Sequence, residues 1–261
     1  MSDQDSIEEL IVKTIAYSSD NYCYLIHHPL TGKTALVDCG EAESVLRYLK
    51  REQWKLDVIL LTHYHYDHTA GTSRVIKAFP NATIYSPLGE ERIGFSSVKV
   101  KDGDEIPLGP LEVKAVSVPA HTRYCTNYYI RGHIFVSDTF FSAGCGRVFE
   151  GTALDLEKAM DRLASLPPET LIYFGHEYTL DNLRFAISVE PDNPDIIDYI
   201  SKCQRRRGSG EFTTPTTLAQ ELKINPFLRI DHENVIKFID PSGVYGRTER
   251  IGLLRKAKDK Y

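Results

Sequence analysis

The segment Leu61-Thr62-His63-Tyr64-His65-Tyr66-Asp67-His68 constrains this chain more than any other. It overlaps the end of 56–62 (LDVILLT), a near-continuous apolar run that reads as a buried strand, and it leads into a helical pattern over 69–79. Metal-capable side chains thus crowd the end of one strand. In an extended chain, residues i and i+2 point the same way, so His63 and His65 project together. Asp67 and His68 follow as the chain turns into the helix. So short a peptide does not place all of them on one ion, but two neighbouring ions could take His63 with His65 and Asp67 with His68. A lone HxH would read as a solvated His-rich loop; HxHxDH closing an apolar strand reads as a metal site. Imidazole and carboxylate donors without thiolate suit zinc, iron or manganese, and argue against a closed structural zinc site.

More ligands stand at other strand ends. His121 follows the strand within a hairpin over 105–118, turning at Leu108-Gly109-Pro110. Asp138 follows the hairpin 127–137, turning at Arg131-Gly132. His176 follows the strand 170–175 (TLIYFG). Each alone reads equally as a turn or cap residue; with HxHxDH they supply enough donors for two coordination shells, placed where open α/β sheets gather functional loops. His27, His28, His133 and His232 lack such a setting and read as structural. Further strands are expected at 22–27 and 34–38, and helices at 41–52 and 152–166. The second helix starts on the cap Thr152 with Asp155 and stops at Pro167-Pro168. After His176 strand-like runs give way to helices near 179–189, 195–206, 215–223 and 249–259. A boundary near 177 divides the chain into domains 1–177 and 178–261.

A net charge of −5 over 261 residues gives no pull toward nucleic acid. No apolar run reaches the length of a membrane span, and the acidic N-terminal residues lack a leader's apolar stretch. The five scattered cysteines, without CxxC spacing, fit a reducing compartment. The expected location is cytoplasmic, with no obligate protein partner indicated.

The ligand series resembles that of the metallo-β-lactamase fold and, within it, glyoxalase II (hydroxyacylglutathione hydrolase). The likeness extends through Asp138-Thr139, Ala143-Gly144-Cys145-Gly146-Arg147, Glu150-Gly151-Thr152 and Leu166-Pro167-Pro168. It continues through Gly175-His176-Glu177-Tyr178-Thr179, Asn182-Leu183, Glu190-Pro191 and Asn225-Pro226-Phe227. The resemblance implies an α/β four-layer αββα sandwich followed by an α-helical domain. It implies two divalent ions, zinc first, with iron or manganese as alternatives. His63, His65, His121 and Asp138 would bind one ion; Asp67, His68, Asp138 and His176 would bind the other. Asp138, the implied catalytic residue, would bridge them together with a hydroxide. The implied reaction is hydrolysis of S-D-lactoylglutathione, a thioester, to glutathione and D-lactate, the second step of methylglyoxal detoxification. A thiol of pKa near 8.5 departs without a general acid. Arg147, Phe149, Tyr178, Arg255 and Lys258 match the family's substrate-binding positions, with Phe149 replacing a tyrosine.

Two departures stand out. Tyr124-Cys125 occupies the place of the family's usual Gly-His, and a cysteine there resembles the persulfide dioxygenases. That branch uses two His and one Asp on a single iron, and His63, His121 and Asp138 would supply them. The alternative function is therefore a mononuclear iron glutathione-persulfide dioxygenase. Against it stand the GCGR turn running into Val148-Phe149-Glu150-Gly151-Thr152, His176 within Gly-His-Glu-Tyr, and the C-terminal domain. Val37-Asp38-Cys39-Gly40 stands where the family has Asp-Pro, and Asp38 reads either as an orienting residue or as a turn residue. A phosphodiesterase on this fold would call for a basic arm that the chain lacks. A non-catalytic relative would not retain costly buried His and Asp clusters.

Overall fold

The computed structural model describes residues 10–95 and 97–261; the acidic N-terminal residues 1–9 lie outside the described residues. The chain divides into two compact units, residues up to 117 with 124–131, and residues 118–123 with 132–261.

The first unit opens with β1 (Ile11–Tyr17), β2 (Asn21–His28) and β3 (Lys33–Val37), paired antiparallel in succession. Every residue of β2 is buried, so it shows no alternation of apolar and polar side chains, and Asn21, His27 and His28 are buried with its apolar residues. Helix α1 (Ala42–Glu52) follows, capped by the Glu41 side chain and closed by Gln53 in the left-handed region at φ 56°. Its Val45 and Leu49 face the core. After it, β4 (Val58–Leu60) lies parallel to β3, with Leu36 opposite Ile59. Of the helix expected over 69–79, α3 (Thr72–Ala78) forms, while Thr69 closes a separate short helix, α2 (Tyr66–Thr69), within the His-rich segment. The break falls at Gly71, whose N–H reaches the Cys39 carbonyl at 2.8 Å. A β-carbon there would stand 2.7 Å from the Ala42 nitrogen and 2.8 Å from the Cys39 sulfur. The short β5 (Thr83–Pro87) and β6 (Val98–Val100) extend the parallel half, and β7 (Glu105–Leu108), β8 (Leu111–Ser117) and β9 (Thr126–Ile130) form an antiparallel meander. Ile15, Leu25, Leu36, Leu49, Ile59, Leu61, Val75 and Ile84 are among the buried residues of this unit's core.

The second unit contains β10 (His133–Ser137), the small pair β11 (Phe140–Phe141) and β12 (Gly144–Cys145), and α4 (Ala153–Ala164). Thr152 and Asp155 form the reciprocal capping box anticipated at the start of α4. β13 (Leu171–Phe174) lies parallel to β10, with a register shift between Phe135 and Ser137. Then come α5 (Thr179–Val189), α6 (Pro194–Gly208), β14 (Thr216–Thr217), α7 (Leu218–Ile224), α8 (Glu233–Ile239) and α9 (Arg247–Asp259). The helix expected over 215–223 starts only at Leu218. Thr216 and Thr217 pair with β13 as a strand, and the Thr217 hydroxyl caps α7. Leu183, Ala186, Ile196, Tyr199 and Ile224 form a separate helical core. In the first unit β1 to β6 form a mixed sheet in chain order and β7, β8 and β9 pair in succession; in the second unit the strand order is β14-β13-β10.

Candidate metal centre

In the first unit the chain beyond β4 stays extended because its carbonyls and amides are taken by neighbouring strands. Leu61 donates to the Tyr85 carbonyl at 3.0 Å, the buried Tyr128 hydroxyl donates to the Leu61 carbonyl at 2.8 Å, and Thr126 donates to the Thr62 carbonyl at 3.0 Å. The i and i+2 side chains then meet as the spacing requires: His63 Nε2 and His65 Nδ1 are 3.0 Å apart. The turn into α2 brings His68 Nε2 to 3.6 Å from Asp67 Oδ2. The two pairs expected from HxHxDH are therefore present.

What orients them comes from elsewhere in the sequence. Asp38, buried and at φ 57°, accepts from the Thr62 N–H at 2.9 Å and from the Thr62 hydroxyl at 2.8 Å. It also accepts from His68 Nδ1 at 3.0 Å. The Thr62 proton is committed to this carboxylate, so its oxygen, 3.0 Å from His63 Nδ1, is left to accept. One carboxylate thus fixes the proton of both rings on Nδ1 and leaves both Nε2 atoms as lone-pair donors. Of the two readings of Asp38, the structure shows the orienting one. Asn21 donates to Asp67 Oδ2 at 3.0 Å, and the Tyr17 hydroxyl, its pKa pushed up by burial, donates to the Asp67 carbonyl at 2.6 Å. Gly40 lies so close to this loop that a β-carbon would sit 1.8 Å from the Asp67 carbonyl oxygen.

In the second unit the irregularity at Phe135/Ser137 re-aims the end of β10, as bulges do. Asp138 follows it. Oδ2 of Asp138 lies 3.3 Å from His176 Nε2 and 3.6 Å from His121 Nε2. His121 Nδ1 donates to the Arg147 carbonyl at 2.9 Å, which again leaves Nε2 as the lone-pair atom. The His176 ring is stacked on Tyr178, centroids 4.8 Å apart and 6° from parallel.

These separations test whether a metal fits. Ligands at 2.0–2.1 Å around a tetrahedral ion stand about 3.4 Å from one another. The donor pairs here, from 3.0 to 3.6 Å, bracket that edge. The set is imidazole and carboxylate only, and Nε2 of His63, His68 and His121 is left without a proton because Nδ1 carries it. The residues fit divalent ions. The remaining histidines serve the fold: His27 is stacked on Trp54 at 3.9 Å, His133 pairs with the Tyr173 hydroxyl, and His232 caps α8. Cys125 is buried.

The candidate substrate residues divide into two groups. Phe149, 59% exposed, sets its ring edge-on to His121 with centroids 5.2 Å apart, and Tyr178 covers His176. Arg147, Arg255 and Lys258 form the other group. Arg255 is buried and donates to the Cys145 carbonyl at 2.7 Å. Asp259 lies 3.2 Å from Arg255 and 3.9 Å from Arg147. Burial, then the Arg255 charge, lowers the Lys258 pKa. Sequence reasoning missed Glu221, a fully buried carboxylate that accepts from the Ser142 hydroxyl at 2.6 Å and the Ala143 N–H at 2.8 Å. Asn225 donates to the carbonyls of Phe141 and Gly144. Together they hold the turn that carries Cys145 to Arg147. The Asn225-Pro226-Phe227 motif was the only signal of this clamp.

A family model for the metallo-beta-lactamase superfamily matches residues 19–176, and one for the hydroxyacylglutathione hydrolase C-terminus matches residues 177–261. The hydroxyacylglutathione hydrolase of Maricaulis maris is 42% identical over 228 residues, covering 86% of this chain and 89% of its own. That of Photobacterium profundum is 39% identical over 253 residues, covering 97% and 100%. The crystal structure of ETHE1 from Myxococcus xanthus superposes with a TM-score of 0.65 at 25% identity, over 96% of this chain and 100% of that one. The α/β fold is that of the metallo-β-lactamases, with helices at its C-terminal end, and its His and Asp donors make it a user of divalent metal. Likeness along nearly the whole chain, helical end included, places this protein in the hydroxyacylglutathione hydrolase family.

Proposed function

We propose that this chain hydrolyses S-D-lactoylglutathione and related 2-hydroxyacylglutathione thioesters to glutathione and the free 2-hydroxy acid. The observation that carries the reading is the orientation of the donors. His63, His68 and His121 each have Nδ1 engaged by a fixed partner, so that Nε2 is left for a ligand. Four residues, His63, His65, His121 and Asp138, would hold one ion, and Asp67, His68, Asp138 and His176 the other, with Asp138 as the shared, catalytic carboxylate. Zinc suits this donor set first. Bound divalent ions supply Lewis acidity, toward a water molecule and toward the thioester carbonyl.

The chain's own residues do the rest. Asp38 keeps His63 and His68 in the ligating tautomer. Arg147, Arg255 and Lys258 offer positive charge to the carboxylates of the glutathione moiety. Phe149 and Tyr178 wall the rings of His121 and His176. The leaving thiol, with pKa about 8.5, departs as thiolate and asks no proton of the protein. In this reading residues 1–177 are the catalytic domain and 178–261 the substrate-binding domain, working in the cytoplasm without nucleic acid, membrane or obligate partner. No described helix is long and apolar enough to cross a membrane.

A mononuclear iron dioxygenase would need only His63, His121 and Asp138. It would leave Asp67, pinned by Asn21, and His68, pinned by Asp38, without a role. The test is hydrolysis of S-D-lactoylglutathione by purified protein, with metal content measured on the same sample. Rapid loss of the thioester absorbance with close to two metals per chain is expected. One iron per chain, no hydrolysis, and oxygen uptake on glutathione persulfide would overturn the proposal.

A further inference from the structure

We infer that Arg92 is a positioning residue for the metal ligand His65, acting through the ring of Tyr64; the inference rests on the metal-dependent reading above. Tyr64 is the residue between two proposed ligands, His63 and His65. The Arg92 guanidinium meets it 3.6 Å from the ring centroid. The Tyr64 ring also meets the His65 ring, centroids 4.6 Å apart and 69° between planes. His65 in turn presents Nδ1 to His63 Nε2 at 3.0 Å.

The guanidinium is itself held. Arg92 Nε and Nη2 donate to the two oxygens of Glu90 at 2.7 Å each, and the Arg92 N–H donates to the same carboxylate at 3.1 Å. Glu90 is fully buried, and its carbonyl accepts from Lys99 Nζ at 2.7 Å. A buried carboxylate is costly unless paired, so it keeps the guanidinium in place even though Arg92 itself is exposed. Glu90, Arg92, Tyr64 and His65 therefore form a line that begins at an immobile charge and ends on a ligand ring. His63, His68 and His121 are steered by hydrogen bonds to Nδ1. His65 meets, in addition, an aromatic ring that a planar cation holds. Lysine could not make this contact, because stacking on a ring while bidentate to a carboxylate needs the guanidinium fork.

The test uses the full chain as purified, dialysed against zinc buffers of graded free concentration, with zinc content read by atomic absorption. Loss of ligand-orienting groups weakens metal binding roughly 10–100-fold, and an indirect contact belongs near the lower figure. Arg92→Ala and Tyr64→Leu should each need about tenfold more free zinc to fill the weaker site. Tyr64→Phe should rescue, since the face and not the hydroxyl is used, and Arg92→Lys should not. Thermal melting of the zinc-free chains accompanies each variant: Arg92→Ala, which takes the guanidinium from buried Glu90, should melt lower, so zinc is read at a temperature where every variant is folded. Wild-type zinc affinity in Arg92→Ala and Tyr64→Leu would overturn the inference. So would a Tyr64→Phe variant as weak as Tyr64→Leu. These readouts do not depend on the substrate, so failure of thioester hydrolysis in the wild type and failure of this inference give different results.

Discussion

Asp38→Asn is the sharpest probe of the metal centre, because it changes one atom and no volume. The carboxylate accepts from three donors: Thr62 N–H, Thr62 hydroxyl and His68 Nδ1. An amide has one acceptor oxygen and one donor nitrogen. Whichever way it turns, its NH2 faces a donor it cannot satisfy. Toward His68 it forces the proton to Nε2 and removes the lone pair that a metal needs. Toward Thr62 it disturbs the hydroxyl that takes the His63 proton. A hydrogen bond to a charged group is worth about 1.5–3 kcal/mol. At 1.36 kcal/mol per decade, that range is about 10- to 150-fold in an equilibrium constant. Zinc affinity should therefore fall by roughly two orders of magnitude, near the top of the range for ligand-orienting partners. Competition with a chelator of known zinc affinity measures it. Urea unfolding of the zinc-free chain should show a loss of the same 1.5–3 kcal/mol, because the hydrogen bond is lost with or without metal. If the variant keeps wild-type zinc affinity, Asp38 does not set the tautomers and the orientation argument fails.

Three further outcomes follow from the second unit. In Gly146→Ala the new methyl would lie 1.8 Å from the Asp138 carbonyl oxygen, so Asp138 must shift; kcat on S-D-lactoylglutathione should drop about 100-fold, and unchanged kcat would place Asp138 outside the reaction. Burial lowers the Lys258 pKa, so its positive charge is lost at lower pH than for an ordinary lysine, near 10.4. KM for the anionic thioester should climb with alkaline pH from below that value, and Lys258→Arg, charged throughout, should flatten the climb; a wild-type KM that stays level to pH 10 would refute this. Arg247 reaches Glu157, Asp161 and Asp231 and ties α9 to α4, so Arg247→Ala should cost about 1–2 kcal/mol by denaturant titration in low salt and less in 1 M salt. An equal loss in both salts would mean that packing, not charge, holds the helix.

Much of the fold was legible because its signals are local. The apolar run before His63, the Thr152 cap with its Pro167-Pro168 stop, and the hairpin at Leu108-Gly109-Pro110 each declare themselves within a few residues. The misses have physical causes. β6 has only three residues, and β5, though as long as β3, reads Thr-Ile-Tyr-Ser-Pro with a buried serine and a closing proline, so neither shows a clear apolar pattern. The helical pattern over 69–79 was genuine, but a tertiary contact of Gly71 with the 39–42 loop breaks it, and no local signal reports that contact. Thr216 and Thr217 looked like the start of a helix because one side chain does cap it, while their backbones pair with β13.

The site divides along the same line. Donor identity is dense in sequence: HxHxDH puts four candidate donors beside one another, and His121, Asp138 and His176 each end an apolar run. Donor orientation is sparse. Asp38 stands 24 residues from Thr62 and 30 from His68, Asn21 stands 46 from Asp67, and Glu221 stands 79 from Ser142. Nothing about a lone Asp, Asn or Glu in a polar stretch announces such a partner. The asymmetry follows from the chemistry. A ligand must be a strong donor of a particular type, and only a few residue types qualify. An orienter needs only one acceptor or donor at the right place, which many residues supply and only the fold selects. Hence a sequence can name a metal site and its reaction class, while the residues that decide how tightly each ion is held become visible only when the backbone brings Asp38 up to His68.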